Sequence, residues 1–307
     1  MLHIYIQKDF PCRGRFIQIL LLVALLVSSC TYRFYPAECD LPMPGNMVKQ
    51  TRLDAKVAET SGLIFMDGSI WTFNDSGGEP AIYRIDPGNG SVIRKTVISK
   101  ALNVDWEDIA MDEHYIYVAD VGNNFAGRDT VVIFRIDSGE LLSGAEELDH
   151  AGIITLSYEE PLALNRLGWS SLDCEALFAF RDSLYLFSKN WVDESTSVYV
   201  IPAVPGHYMV KKSFRYEAKM LVTGADIYRH SKEVSLVGYR SYIPVVITYG
   251  YEDNPAAVAC GGKARIYPLK AGRQVEGICY DKQGKLYISA ERSLQKQALF
   301  KLGGWGH

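Results

Sequence analysis

Apolar residues in this chain fall in short runs of about four to six, each bounded by Gly, Pro, Asn, Asp or Ser. Runs of that length between turn formers predict buried strands, and no stretch sustains the 3.6-residue period of a long helix. The runs also repeat. Five segments share one pattern: Ser61-Gly62-Leu63-Ile64, Glu107-Asp108-Ile109-Ala110, Glu175-Ala176-Leu177-Phe178, Ala225-Asp226-Ile227-Tyr228 and Glu276-Gly277-Ile278-Cys279. A second apolar run follows each, opening at Ser69, Tyr115, Ser183, Glu233 and Lys285, and a third opens at Ala81, Val131, Ser197, Pro244 and Ala298. The starts lie about 46, 68, 50 and 51 residues apart, the blade length of a β-propeller.

The pattern therefore predicts an all-β chain folded as a β-propeller of five blades, with six the alternative if the long interval from 108 to 176 hides a degenerate unit. Otherwise that interval carries an insertion around 137–150 or 159–172. The last repeat has three strands and lacks a fourth, whereas Arg52–Ala58 is a strand-like segment without a repeat of its own. A ring closed by this N-terminal strand in the last blade uses both leftovers and removes exposed sheet edges.

The first residues follow a different pattern. Lys8, Arg13 and Arg15 precede the apolar run Phe16–Val27, which is too short to span a bilayer and matches a signal sequence. It ends in Val27-Ser28-Ser29-Cys30, which resembles a bacterial lipoprotein signal, with residues 1–29 removed and Cys30 lipidated. Residues 30–50 then form a Pro-containing tether and 51–307 the propeller. This predicts a palmitate-type anchor that holds the chain to a membrane without spanning it. With Thr31 and no acidic run after the cysteine, the expected place is the outer membrane of the cell envelope, facing the periplasm. Net charge is −4 with mixed signs, which excludes a nucleic-acid surface; protein partners are not predicted. Cys39, Cys174, Cys260 and Cys279 have no zinc-type spacing.

In a propeller blade the first strand lines the channel and the second runs antiparallel to it, so residues before the first and after the second emerge on one face. That rule gathers Asp105, Trp106 and Glu107, Asp173 and Glu175, Glu276, Asn74 and Asp75, Asp120, Asn123 and Asn124, Lys189, Arg240 and Arg292. Loops on a rigid scaffold commonly carry function, although Asn-Asp-Ser-Gly and Gly-Asn-Asn are also ordinary turn sequences. Three chemistries suit the set. Glu107, Asp120, Asn123 and Glu175 are oxygen donors suited to calcium or another divalent cation. Glu107, Glu175 and Glu276 are candidate catalytic acids for a glycosidase, lactonase or phosphoesterase. Lys189, Arg240, Arg292 and Trp106 suit an anionic or sugar-like small molecule or glycan bound without turnover. Asp108 aligns with Gly62, Ala176, Asp226 and Gly277 and reads as a packing or turn position. No G-x-S-x-G, P-loop or H-E-x-x-H is present.

The stretches "ETSGLI…WTFNDSGGEPAIYRID" and "DWEDIAMD…YIYVADVGNN", within residues 56–136, resemble propeller-type lipoproteins of the Bacteroidetes. More distantly, the Glu-Gly-Ile opening at Glu276 is similar to SMP-30/gluconolactonase-like and NHL-type propellers and to esterase-like phytase domains. The first of these implies a divalent metal at the channel mouth, held by Glu, Asn and Asp; this chain departs from it in blade count and in the basic residues around the mouth.

Overall fold

Five sheets are arranged around one axis in the computed structural model, which describes residues 33–34, 46–161, 163–255, 264–269 and 273–303. The signal segment, Cys30 and most of the tether lie outside the described residues. From the axis outward, blade one comprises Thr60–Met66, Ser69–Asn74, Ala81–Ile85 and Val92–Ser99; blade two comprises Trp106–Met111, Tyr115–Asp120, Val131–Asp137 and Gly152–Tyr158. Blade three comprises Cys174–Phe180, Ser183–Ser188, Thr196–Pro202 and Phe214–Tyr216, and blade four Leu221–Tyr228, Glu233–Arg240, Ile243–Gly250 and Arg265–Pro268. Blade five takes three strands from the C-terminal end, Gln274–Tyr280, Leu286–Glu291 and Ala298–Gly303, and its outermost from Asn46–Arg52. The propeller thus has five blades and is closed by its N-terminal strand. That strand lies six residues earlier than the pattern suggested. Asp54 accepts a hydrogen bond from the Lys56 N–H and caps a 3-10 turn at Ala55–Val57, which ends the strand.

The strands form where the short runs predicted because each inner strand is covered on both faces by neighbouring blades. Tyr115–Asp120 is buried along almost its whole length, whereas the outermost Val92–Ser99 alternates between partly buried and exposed positions. Aromatic and β-branched side chains suit such double burial. Five apolar clusters fill the spaces between successive blades, one of them joining blade five to blade one. Trp71 and Phe73 meet Trp106 and Phe134 in the cluster between blades one and two, with Phe73 edge-on to Trp106 at 5.3 Å. Trp106 is fully buried there, and its indole N–H donates to the Leu102 carbonyl at 2.8 Å. It is a core residue and contributes nothing to a ligand surface, because the strand turns its ring away from the channel.

The long second interval is filled by two devices. A helix at Ser138–Ser143, capped by Asp137 and ended by Gly144, leads to Glu147–Asp149, which returns to blade one and pairs parallel to Val92–Ser99. The second part, residues 159–172, meets loops of blades two and three: the Ser170 N–H donates to the Asn124 carbonyl, and the Asn165 amide to that of Trp191. A similar strap, Gly206–Val210, comes from blade three and pairs parallel to the outer strand of blade two.

All five inner strand pairs are interrupted at one level by a bulge: between Thr60 and Leu63, Trp106 and Asp108, Cys174 and Ala176, Val222 and Gly224, and Val275 and Ile278. A bulge re-aims the side chain of the residue it leaves unpaired. Those residues include Ser61, Glu107, Glu175, Thr223 and Glu276. The fourth repeat is thus set two residues earlier than the sequence alignment had it, with Thr223-Gly224 in place of Ala225-Asp226. Just past the bulge the inner strands nearly touch. A Cβ on Gly277 would lie 2.3 Å from the Ser61 carbonyl oxygen, and one on Gly224 2.4 Å from that of Glu276. Asp108, at the same level, is no turn residue. It accepts from the N–H groups of Ile109 at 2.8 Å, Leu177 at 2.7 Å and Ala225 at 3.2 Å, tying three blades together across the axis.

Candidate functional site

The bulges bring the two Asp-x-Glu pairs together. Carboxylate oxygens of Asp75, Asp105 and Glu107 lie within 4.8 Å of one another, and so do those of a second triad, Glu107, Asp173 and Glu175. Glu107 belongs to both triads. The Asp120–Arg128 loop passes them at a glycine: a Cβ on Gly122 would come 2.1 Å from Asp105 Oδ2 and 2.3 Å from Glu107 Oε1, so a larger residue would push these carboxylates aside.

The triads differ in how their charge is met. In the second, the Lys189 ammonium lies 2.7 and 2.6 Å from the two Glu175 oxygens, and both groups are buried. Asp173 accepts from the Asn123 backbone N–H and from the Trp191 indole N–H, both at 2.9 Å. Burial alone would lower the Lys189 pKa, but Glu175, Glu276, Asp173 and Glu107 outweigh it and hold the ammonium charged. Burial pushes Glu175 the other way, toward the neutral acid. The ammonium in contact with both oxygens holds the pair in its ionised form.

The first triad has no such cation. Among the described residues, the Asp75 carboxylate accepts only from the Ser76 N–H, at 2.6 Å. The carboxylates of Asp105 and Glu107 make no hydrogen bond or ion pair with the described residues, although Glu107 is 7 % exposed. Burial, then the neighbouring Glu175 and Asp75, push the Glu107 pKa well above the usual carboxylate range. Burial and Asp75 bring Asp105 to about 6. Burial raises Glu276 to about 7 against the pull of Lys189, and burial with Glu276 raises Glu291 to about 8. The mouth thus holds more carboxyl groups than positive charges.

Several other predicted site residues serve the scaffold. Asp120 accepts from the Val104 and Asp105 N–H groups and pairs with Arg128 at 2.8 Å. The Asn123 amide is spent on the Arg128 backbone, donating at 2.9 Å and accepting at 3.0 Å, so neither residue offers a free oxygen for a metal. Asn74 accepts from the Glu59 N–H and donates to the Lys56 carbonyl, and Asn124 uses its carbonyl to hold the Ser170 N–H. The Arg240 guanidinium caps the Ala218 and Lys219 carbonyls, and the exposed Arg292 is anchored through its backbone N–H to Ala58. The turn formers were consumed by turns. Sequence reasoning missed Trp191 and Arg128. Trp191 follows directly on the Lys189-Asn190 loop and was open to detection, whereas Arg128 lies beyond the loop's turn residues and carries no pattern.

No protein-family model matches the chain, and no curated protein matches it in sequence. Among solved structures it is similar to a GH43_1 enzyme from Xanthomonas citri complexed with xylotriose, at 13 % identity and TM-score 0.49, covering 83 % of this chain and 89 % of that one. It is also similar to regucalcin, a calcium-binding protein from Agrobacterium tumefaciens, at 13 % identity and TM-score 0.44, covering 87 % and 96 %. The PQQ-bound aldose sugar dehydrogenase of Streptomyces coelicolor matches at 13 % identity and TM-score 0.43, covering 83 % and 97 %. At such scores these likenesses carry no reaction or ligand over to this chain.

Proposed function

We propose that the propeller is a binding module that takes a divalent cation of the calcium type at its channel mouth, between Asp75, Asp105 and Glu107. One observation carries this reading: Glu107, 7 % exposed and without a hydrogen bond or ion pair among the described residues, is shared by two triads, of which one is met by Lys189. A buried charge left unpaired is costly, and a hard cation bound by carboxylate oxygens removes that cost. Three carboxylates also leave a calcium-type ion coordination positions for ligand oxygens.

Terbium luminescence sensitised by the nearby tryptophans, with calcium as competitor, tests the proposal. The expected result is saturable binding displaced by calcium, lost in Glu107→Gln and unaffected by Arg292→Ala. Equal terbium binding by Glu107→Gln would refute it.

We further propose that the module acts at the cell envelope, held there through Cys30. The support is the Phe16–Val27 run ending in Val27-Ser28-Ser29-Cys30. Incorporation of labelled palmitate that Cys30→Ala abolishes is the expected outcome; label retained in that variant would count against the anchor.

A further inference from the structure

One wall of the mouth is aromatic, and the acidic site does not account for it. The Trp191 ring lies under the Lys189 ammonium at 4.9 Å, the Trp169 ring is 4.7 Å from Trp191, and the Phe125 ring is 4.7 Å from Trp169. The three rings come from three separate loops, which are stapled to one another. Asn165 donates through its side-chain amide to the Trp191 carbonyl at 3.1 Å, and the Ser170 N–H donates to the Asn124 carbonyl at 2.8 Å. Both ends of the column belong to the site. Trp191 holds Asp173, and Phe125 lies three residues beyond Gly122, the glycine against Asp105 and Glu107, within about 10 Å of chain. The outer end is open to solvent: Phe125 is 68 % exposed and Leu167 79 %. Large apolar side chains held at such exposure by a built loop mark a recognition surface more than a core.

We infer that this wall and the cation site form one mouth for a carbohydrate, with a sugar ring packed against Phe125 and vicinal hydroxyls directed to the cation. The inference rests on the cation reading above and assigns its ligand class. Charge complementarity selects this occupant. An anionic ligand would meet a surplus of carboxylates. An organic cation would compete with the metal cation for the same three carboxylates. A neutral polyol suits both halves: its hydroxyls donate to carboxylates and complete the coordination of a hard cation, and the C–H face of its ring packs on an aromatic surface.

The test uses the full chain on a printed array of neutral and uronic-acid oligosaccharides, with calcium or with EDTA, beside terbium titrations of the same samples. Phe125→Ala removes the exposed end of the wall and touches neither triad. The expected result is binding to a subset of glycans that is lost in EDTA and weakened about tenfold or more in Phe125→Ala, which retains terbium affinity. No glycan binding with terbium binding intact would overturn the inference and leave the cation reading standing. Loss of both would overturn the two together. Glycan binding that is indifferent to Phe125→Ala, or that survives EDTA, would overturn the joint mouth.

Discussion

Replacing Asp108 with Asn tests how the blades are held at the axis. The carboxylate accepts three backbone N–H groups, one on Oδ1 and two on Oδ2, and donates nothing. Burial pushes its pKa well up, while the three N–H groups pull it down. Because the surrounding bonds are all from donors, a proton on this group would have no acceptor among them, and we take the ionised form as the one that joins the blades. Asn keeps the shape but has one carbonyl oxygen; its NH2 must then face an N–H. At least one buried donor loses its partner, which costs about 1–3 kcal/mol, and the remaining bonds drop from the charged to the neutral range. Together these give a destabilisation of about 3–5 kcal/mol by urea unfolding, with the m-value unchanged. A loss below about 1 kcal/mol would mean that Asp108 is a neutral acid in the folded protein and that the axial tie is not ionic.

Stability should depend on pH through the mouth. Asp105, Glu276 and Glu291, at about 6, 7 and 8, all lie above their ordinary values, so the folded state binds more protons than the unfolded one. Their contribution is fully present near pH 4 and is lost as pH rises to about 8, so the melting temperature in EDTA should fall across that window and calcium should restore it; a melting temperature that rises with pH would contradict this. Lys189→Met leaves Glu175 buried without its cation, which should cost about 3–5 kcal/mol in EDTA. The same variant opens the second triad, and terbium stoichiometry should rise from about one to about two; unchanged stoichiometry would show that Lys189 does not occupy a cation position. Gly277→Ala would place a Cβ 2.3 Å from the Ser61 carbonyl oxygen, and the inner strands should part at a cost of about 1–3 kcal/mol or more by thermal unfolding.

What could be read from the sequence was what repeats. The glutamates at 107, 175 and 276 recur at blade spacing because a bulge recurs with them, and the gathering of the two Asp-x-Glu pairs followed from the rule that blade loops share a face. The fourth repeat was misaligned because the bulge residue there is Thr223, not an acid, so Asp226, two places beyond Gly224, took the position matching Asp108. Asp226 instead accepts from the Ile227 and Tyr280 N–H groups and pins blade four to blade five. Trp106 resembled a ligand-stacking residue because it stands between two acids, but alternation along the strand sends its ring to Phe73. Asn123 and Asp120 had suitable oxygens for a metal; the turn they sit in claims those oxygens first. Lys189 was legible as a charge able to offset carboxylates at the mouth, and it does so at Glu175; that it leaves the other triad without a cation could not be read from the sequence.

Closure by Asn46–Arg52 has a consequence for the growing chain. The partner of this strand, Ala298–Gly303, is made some 246 residues after Arg52. At about 5–20 residues per second, the first segment waits roughly 12–50 s during synthesis before it can be paired. Blades one and two meet the delay differently, since Glu147–Asp149 and Gly206–Val210 cover their outer edges while later blades are still being made. The straps act like overlapping roof tiles, each laid by a later row on an earlier one. The seam at blade five is sealed only when Ala298–Gly303 arrives.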